Sequence, residues 1–223
     1  MLRNAMLRNA LLMAFVGAAP AKPPCYTPLN PDFETLCFST TAVSGNISVR
    51  LVGAGVDGVL VTGMSTPTNF SVGSAASATP VFEYFLSDNG RFAKVPLTVP
   101  LIFRPDPAGT WLASFALPTS VYPTASAAPS ILPRSDLRFE EFSSTPAVGR
   151  TLAALTFYTI NMAVQADFER ACGTLEDALP GMGLTPIAGA WRVAWVAYSP
   201  EAMVGDMVNE CWVEVQGSRG VPV

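Results

Sequence analysis

No histidine occurs among the 223 residues of this chain. That absence removes the Ser–His–Asp triad, the Cys–His dyad and imidazole acid–base chemistry. It also removes imidazole as a ligand for zinc, copper or haem iron. Any reaction would have to run on carboxylates, Lys, Tyr, Cys or a metal held by oxygens. Charge is scarce as well. Only 13% of residues are Asp, Glu, Lys or Arg, and the formal net charge is −4. No run of Lys or Arg is present. Phosphate backbones and anionic membranes select clustered cations, so neither nucleic acid nor acidic lipid is an expected partner. The absence of a CxxC pair argues against a zinc or redox site. After the N-terminus no segment supplies the roughly 20 apolar residues of a membrane span. The longest candidate, 152–166, is interrupted by Thr156, Tyr158, Thr159, Asn161 and Gln165.

What is there is apolar. Half of the residues are hydrophobic, and this length suits one domain, or at most two small ones, that can fold without needing metal or disulfides. Residues 1–21 read as a secretory signal peptide, leaving a single domain over 22–223. Arg3 and Arg8 form a positive start, residues 10–18 a short apolar core, and Ala19-Pro20-Ala21 a small-residue cleavage site. The rival reading is an organelle transit peptide, so the expected location is secreted or an organelle lumen.

Four cysteines in a secreted chain suggest disulfides. Cys25 and Cys37 flank the turn-forming run Thr27-Pro28-Leu29-Asn30-Pro31-Asp32, so a hairpin would bring them together. Cys172–Cys211 follows by elimination. The alternative is four buried free thiols. Asn46-Ile47-Ser48 and Asn69-Phe70-Ser71 are N-glycosylation sequons, with Asn46 and Asn69 as acceptors.

Period-2 patterning predicts strands over 33–39, 47–52, 59–61, 95–104, 111–117, 137–142, 149–158, 191–198 and 211–215. Asp106-Pro107-Ala108-Gly109 joins two of them as a hairpin. The Gly-, Ser- and Ala-rich stretch 53–78 reads as an irregular insertion around 59–61. A helix is expected over 80–87, with Thr79 as N-cap, Pro80 in the first turn and Asp88-Asn89-Gly90 as its stop. A second helix is expected over 162–179. Met162, Val164, Phe168, Ala171, Cys172, Leu175 and Leu179 form its apolar face. The Pro-rich run 118–133 crosses between two halves. Strand, helix and strand hairpin thus occur twice. The expected fold is α+β: an antiparallel, partly closed sheet in two halves with two packed helices.

Several short motifs resemble the SOUL/haem-binding family. Leu97-Thr98-Val99-Pro100 resembles its Met-Thr-x-Pro signature, after a helix with Tyr84 near its end and Asn89 at its stop. Phe115-Ala116-Leu117-Pro118 resembles its Phe-x-x-Pro strand end, and Pro129 and Pro133 before Asp136 resemble its Pro-x-Pro linker. Tyr198-Ser199-Pro200, Gly205 and Asn209-Glu210-Cys211-Trp212 are similar to its closing segment. The resemblance spans about 25–215. It implies a distorted antiparallel β-barrel of two pseudo-symmetric halves, each with a helix.

It also implies a non-catalytic protein that binds haem, another tetrapyrrole or a different apolar small ligand, non-covalently. The implied pocket lies between the first helix and the loop before the last strand. Its lining is Phe82, Tyr84 and Phe85 with Met203, Val204 and Met207. Leu97 replaces the family's Met, and Glu83 and Asp206 stand where members carry basic residues. Two alternatives accompany this expectation. One is an interaction subunit of a larger assembly whose pocket is filled. The other is a hydrolase-like enzyme on the related gyrase-inhibitor-like fold, using a carboxylate such as Glu210. Asn209, Glu210 and Trp212 are otherwise expected to fix a turn, and Glu140, Glu141, Glu176 and Asp177 to be solvated.

Overall fold

A computed structural model of the chain describes residues 25–27, 30–52, 58–65, 70–133, 136–142, 150–160, 163–187, 192–197 and 207–217. Residues 1–21, expected to be a signal peptide, and Asn69, Met203 and Val204 lie outside them. The first strands are β1 (Cys25–Thr27), β2 (Asn30–Thr35), β3 (Phe38–Ser44), β4 (Ile47–Val52) and β5 (Val59–Met64). Helix α1 (Phe70–Leu86) follows, then β6 (Thr98–Val99), β7 (Leu101–Pro105) and β8 (Trp111–Ala116). The Pro-rich crossing leads to β9 (Leu137–Glu141) and β10 (Arg150–Thr159). Helix α2 (Gln165–Ala178), a 3-10 turn (Leu179–Met182), β11 (Leu184–Pro186), β12 (Arg192–Ala197) and β13 (Met207–Gly217) complete the order.

The main sheet runs β3-β4-β10-β13-β12-β7-β8-β5-β9, with β11 paired to β13. All its described pairings are antiparallel. A small second sheet, β1-β2-β6, includes the parallel pair β2–β6. The main sheet has an internal symmetry. Reading outward from the β7–β12 pair, β8, β5 and β9 on one side match β13, β10 and β4 on the other. Each half is therefore strand, strand, helix, hairpin, one strand more than the repeated plan predicts. Its first strand crosses over: β4 of the first half pairs β10 of the second, and β9 of the second pairs β5 of the first.

Both helices cover one face. Val81, Tyr84 and Phe85 of α1 pack on Val59, Val61 and Phe115. Ala171 and Leu175 of α2 pack on Ala153, Leu155, Cys211 and Val213. The opposite face is concave, as its ion pairs show. Arg104 on β7 donates to Glu140 on β9, past β8 and β5. The side chains facing it from those strands are small and polar, Ser114 and Thr62, which hydrogen-bond each other at 2.8 Å. Arg50 on β4 likewise reaches Glu210 on β13, past β10. Such chords require a curled sheet, a half-barrel. Leu36 and Val99, with Phe33 and Phe38 against them, fill the hollow over Leu60, Ile102, Leu152 and Trp212.

Several elements depart from expectation. The first helix begins ten residues early, so Thr79 is not an N-cap and Pro80 lies inside α1. The Ser- and Ala-rich run is helical because small residues let α1 lie directly on β5; Ser77 is fully buried and Ala78 nearly so. The predicted strand 33–39 is two strands that belong to different sheets. The predicted strand 95–104 is divided at Pro100, which follows a cis peptide bond and has no N–H to give a ladder. Val164 is 59% exposed because it caps α2 rather than lying on its apolar face. The closing strand is longer than predicted, beginning at Met207.

Candidate functional site

Both helices reach buried Phe103 of β7, since Ala78 of α1 and Phe168 of α2 share one cluster with it. That apolar seam consists of buried Phe103 with Ala78, Ala113, Ala163 and Phe168. Phe82, Leu101, Trp111 and Phe157 pack against that cluster and remain only half-buried. The alternation of strands β7, β8 and β10 aims Phe103, Ala113 and Phe157 at the helix side. Phe157 meets Phe168 edge-on at 5.3 Å, and Phe82 meets Phe115 edge-on at 5.1 Å. At its edge the half-buried aromatics Phe82, Trp111 and Phe157 leave part of their rings exposed near the symmetry axis.

Of the residues implied by the family resemblance, Phe82 belongs to this seam. Tyr84 and Phe85 sit on the same helix but are fully buried. Their rings pack against each other and against Phe139 and Phe115 respectively. The Tyr84 hydroxyl donates to the Pro129 carbonyl at 2.6 Å, and burial pushes its pKa up to about 12. Met207 is buried at the start of β13, not in a loop. Met203 and Val204 lie outside the described residues. Leu101, Trp111 and Phe157 escaped sequence reading because they come from three strands, and only the register unites them.

The carboxylates sort differently from expectation. Glu210 is completely buried, and Asn209 with it, inside a strand rather than at a turn. Arg50 donates to Glu210 twice, Nη1 to Oε2 at 2.7 Å and Nη2 to Oε1 at 2.6 Å. Trp212 Nε1 donates to Oε2 at 2.6 Å and Thr156 Oγ1 to Oε1 at 2.9 Å. Both oxygens are thus occupied by protein donors, and no face is offered to a substrate. Glu140 is not simply solvated: it is half-buried and pairs with Arg104. Arg150 Nη1 donates to Glu214 Oε2 at 2.7 Å. Among the described residues no group of His, Cys, Asp or Glu is placed to hold a metal.

Both expected disulfides form. Cys25–Cys37 ties β1 to the start of β3, and Cys172–Cys211 ties α2 to β13. They suggest an oxidising, extracellular environment. No described helix is long and apolar enough to cross a membrane. Asn46 is exposed in the β3–β4 turn, beside Gly45 at φ 59°.

No family model matches the sequence, and no curated protein matches it. Among solved structures the chain is similar to one described as the crystal structure of a hydrolase from Listeria innocua. The identity is 10%, over 79% of this chain and 94% of that one, with a TM-score of 0.47. A likeness at that level carries no inference about activity.

Proposed function

We propose that this is a non-catalytic, extracellular binding protein for an apolar small ligand, built on a SOUL-type barrel. The observation that supports it is the seam. Three half-buried aromatics, Phe82, Trp111 and Phe157, border a buried cluster of Phe103, Phe168 and three alanines. A tetrapyrrole such as haem would be held there by stacking and apolar contact, without an imidazole on the metal. The saturated Glu210 argues against the carboxylate-enzyme alternative.

The test is titration of the oxidised protein with haem and with metal-free protoporphyrin. Saturable quenching of Trp fluorescence and a shifted Soret band are expected at micromolar ligand. Phe82→Ala and Trp111→Leu should weaken both signals. Absence of any saturable change would overturn the reading.

A second reading is an interaction subunit with a filled barrel. Phe33, Leu36, Phe38 and Val99 occupying the concave hollow favour it. A failed titration with both ligands is the result this reading expects.

A further inference from the structure

The two edges of the main sheet are guarded unequally. The sheet begins at β3 and ends at β9. An edge strand presents unpaired N–H and C=O groups, with which another chain can pair. Charged side chains on an edge oppose such pairing, and β9 carries Arg138, Glu140 and Glu141. Strand β3 carries neither charge nor proline, and each of its residues after Phe38 is exposed. A bulge at Thr41 breaks its register with β4. Beyond the bulge, Ala42, Val43 and Ser44 pair regularly with Val49, Ser48 and Ile47. Val43 there is 68% exposed.

The turn that ends this stretch carries the sequon Asn46-Ile47-Ser48. Gly45 takes φ 59° and Asn46 keeps a negative φ, which makes the two-residue connection a type II′ hairpin turn. The turn is anchored on both counts that matter. Ile47 is buried in the cluster under α2, and the Asn46 carbonyl accepts from Thr156 N–H at 3.0 Å. Asn46 itself is exposed. A group attached to it stands at a fixed hairpin end, three residues from Val43. The two disulfides suggest the oxidising, extracellular environment in which N-linked glycans occur.

We infer that Asn46 carries an N-linked glycan, and that this glycan keeps β3 from pairing with the same edge of a second copy of the chain. A glycan is bulky and hydrated, so it does for β3 what charge does for β9. A second copy is the partner to be excluded because β3 suits itself: two identical uncharged strands, paired antiparallel, set no like charges opposite one another. Of the proposed function this inference uses only the extracellular setting. Glycan mapping and porphyrin titration therefore fail separately.

The experiment expresses the full-length chain in eukaryotic cells that N-glycosylate, and maps glycopeptides of the oxidised product by mass spectrometry. Occupancy at Asn46 is expected, and its loss in Asn46→Gln. Sedimentation velocity should show the glycosylated wild type as a monomer. Treating that folded protein with peptide:N-glycanase should shift it towards dimer or larger as concentration rises, and so should Asn46→Gln. The enzyme strips the glycan from a chain that has already folded, so a misfolded variant cannot imitate the result. Val43→Lys added to Asn46→Gln should restore the monomer by placing a charge on the edge. Asn69→Gln, which removes the other sequon, should remain monomeric. An unoccupied Asn46 overturns the inference. So does a deglycosylated protein that stays monomeric, association that Val43→Lys leaves unchanged, or equal association in Asn69→Gln.

Discussion

Arg50 and Glu210 form a two-pronged ion pair at 2.6 and 2.7 Å although the strand register does not put them side by side. Arg50 is opposite Leu152 on β10, and Glu210 is opposite Thr156, four residues further along the same strand. The coil of the sheet brings them together across the concave face. The pair is nearly or wholly out of water, and Arg50 also lies over the Phe38 ring with 4.5 Å between guanidinium carbon and ring centroid. Removing one member leaves a buried charge without its partner, which costs about 3–5 kcal/mol. Arg50→Met should therefore destabilise strongly in denaturant unfolding. Arg50→Met with Glu210→Met should recover much of that loss, because apolar replacement of both members is close to neutral. If the double variant is as unstable as the sum of its parts, the pair is not the coupled unit described.

Tyr84 makes stability sensitive to alkali. Its hydroxyl is buried, donates to Pro129, and has its pKa raised from 10.0 to about 12, first by burial and then by Tyr122. The neutral phenol is the form the fold holds. Its contribution is complete below the unfolded pKa and is lost as pH climbs from 10 towards 12. Stability should fall by up to about 1.4 kcal/mol per pH unit in that window from this group alone. Tyr84→Phe should lower stability by about 1 kcal/mol at neutral pH, for the lost hydrogen bond, and flatten the alkaline decline. Urea unfolding of both proteins across the window reads the difference. Parallel slopes would show that Tyr84 is not the responsible group.

Much of the architecture was legible because it is written in local pattern. Asp106 to Gly109 predicts a turn, and Gly109 takes φ 80° there. Phe168, Ala171 and Leu175 recur at helical spacing, and they are the buried face of α2. The start of α1 was not legible. Its Ser and Ala residues have loop-like composition, and Pro80 resembles a first-turn residue rather than an internal one. The seam was legible only at Phe82. Phe103, Trp111 and Phe157 join it through the β7–β12 pairing at the symmetry axis, which no local window contains. The Arg104–Glu140 pair was hidden for the same reason, since Arg104 reaches Glu140 across two intervening strands.

The two disulfides should differ in what they contribute. Cys172 and Cys211 are separated by 39 positions, Cys25 and Cys37 by 12. Chain-entropy reasoning gives about 4 kcal/mol for the longer loop and about 3 kcal/mol for the shorter. The longer one also holds α2 on the sheet beside Ala171 and Leu175. Cys172→Ala/Cys211→Ala is therefore expected to lower the unfolding midpoint more than Cys25→Ala/Cys37→Ala. Chemical denaturation of the two double variants, compared with the oxidised parent, checks the order. A reversed order would mean that the hairpin bearing Phe33 and Leu36 contributes more to the core than loop length suggests.

Two glycines give opposite expectations for the same substitution. Gly63 sits on β5 where α1 crosses it, and a β-carbon there would lie 2.1 Å from the Ser77 carbonyl oxygen and 2.8 Å from Val81 Cγ2. The nearest obstacle is backbone, which cannot rotate away as a flexible side-chain tip can. Gly63→Ala must push the helix off the strand, at a cost of about 1–3 kcal/mol or more. Because Phe82 belongs to that helix, the displacement should also disturb the seam and weaken porphyrin binding. Gly173 lies inside α2, and a β-carbon added to it would meet nothing within 4 Å. Gly173→Ala should stabilise by about 0.5–1 kcal/mol, since alanine costs less backbone entropy in a helix. Urea midpoints of the two variants are expected to move in opposite directions from wild type. A neutral Gly63→Ala would contradict the close α1–β5 contact on which the placement of the seam depends.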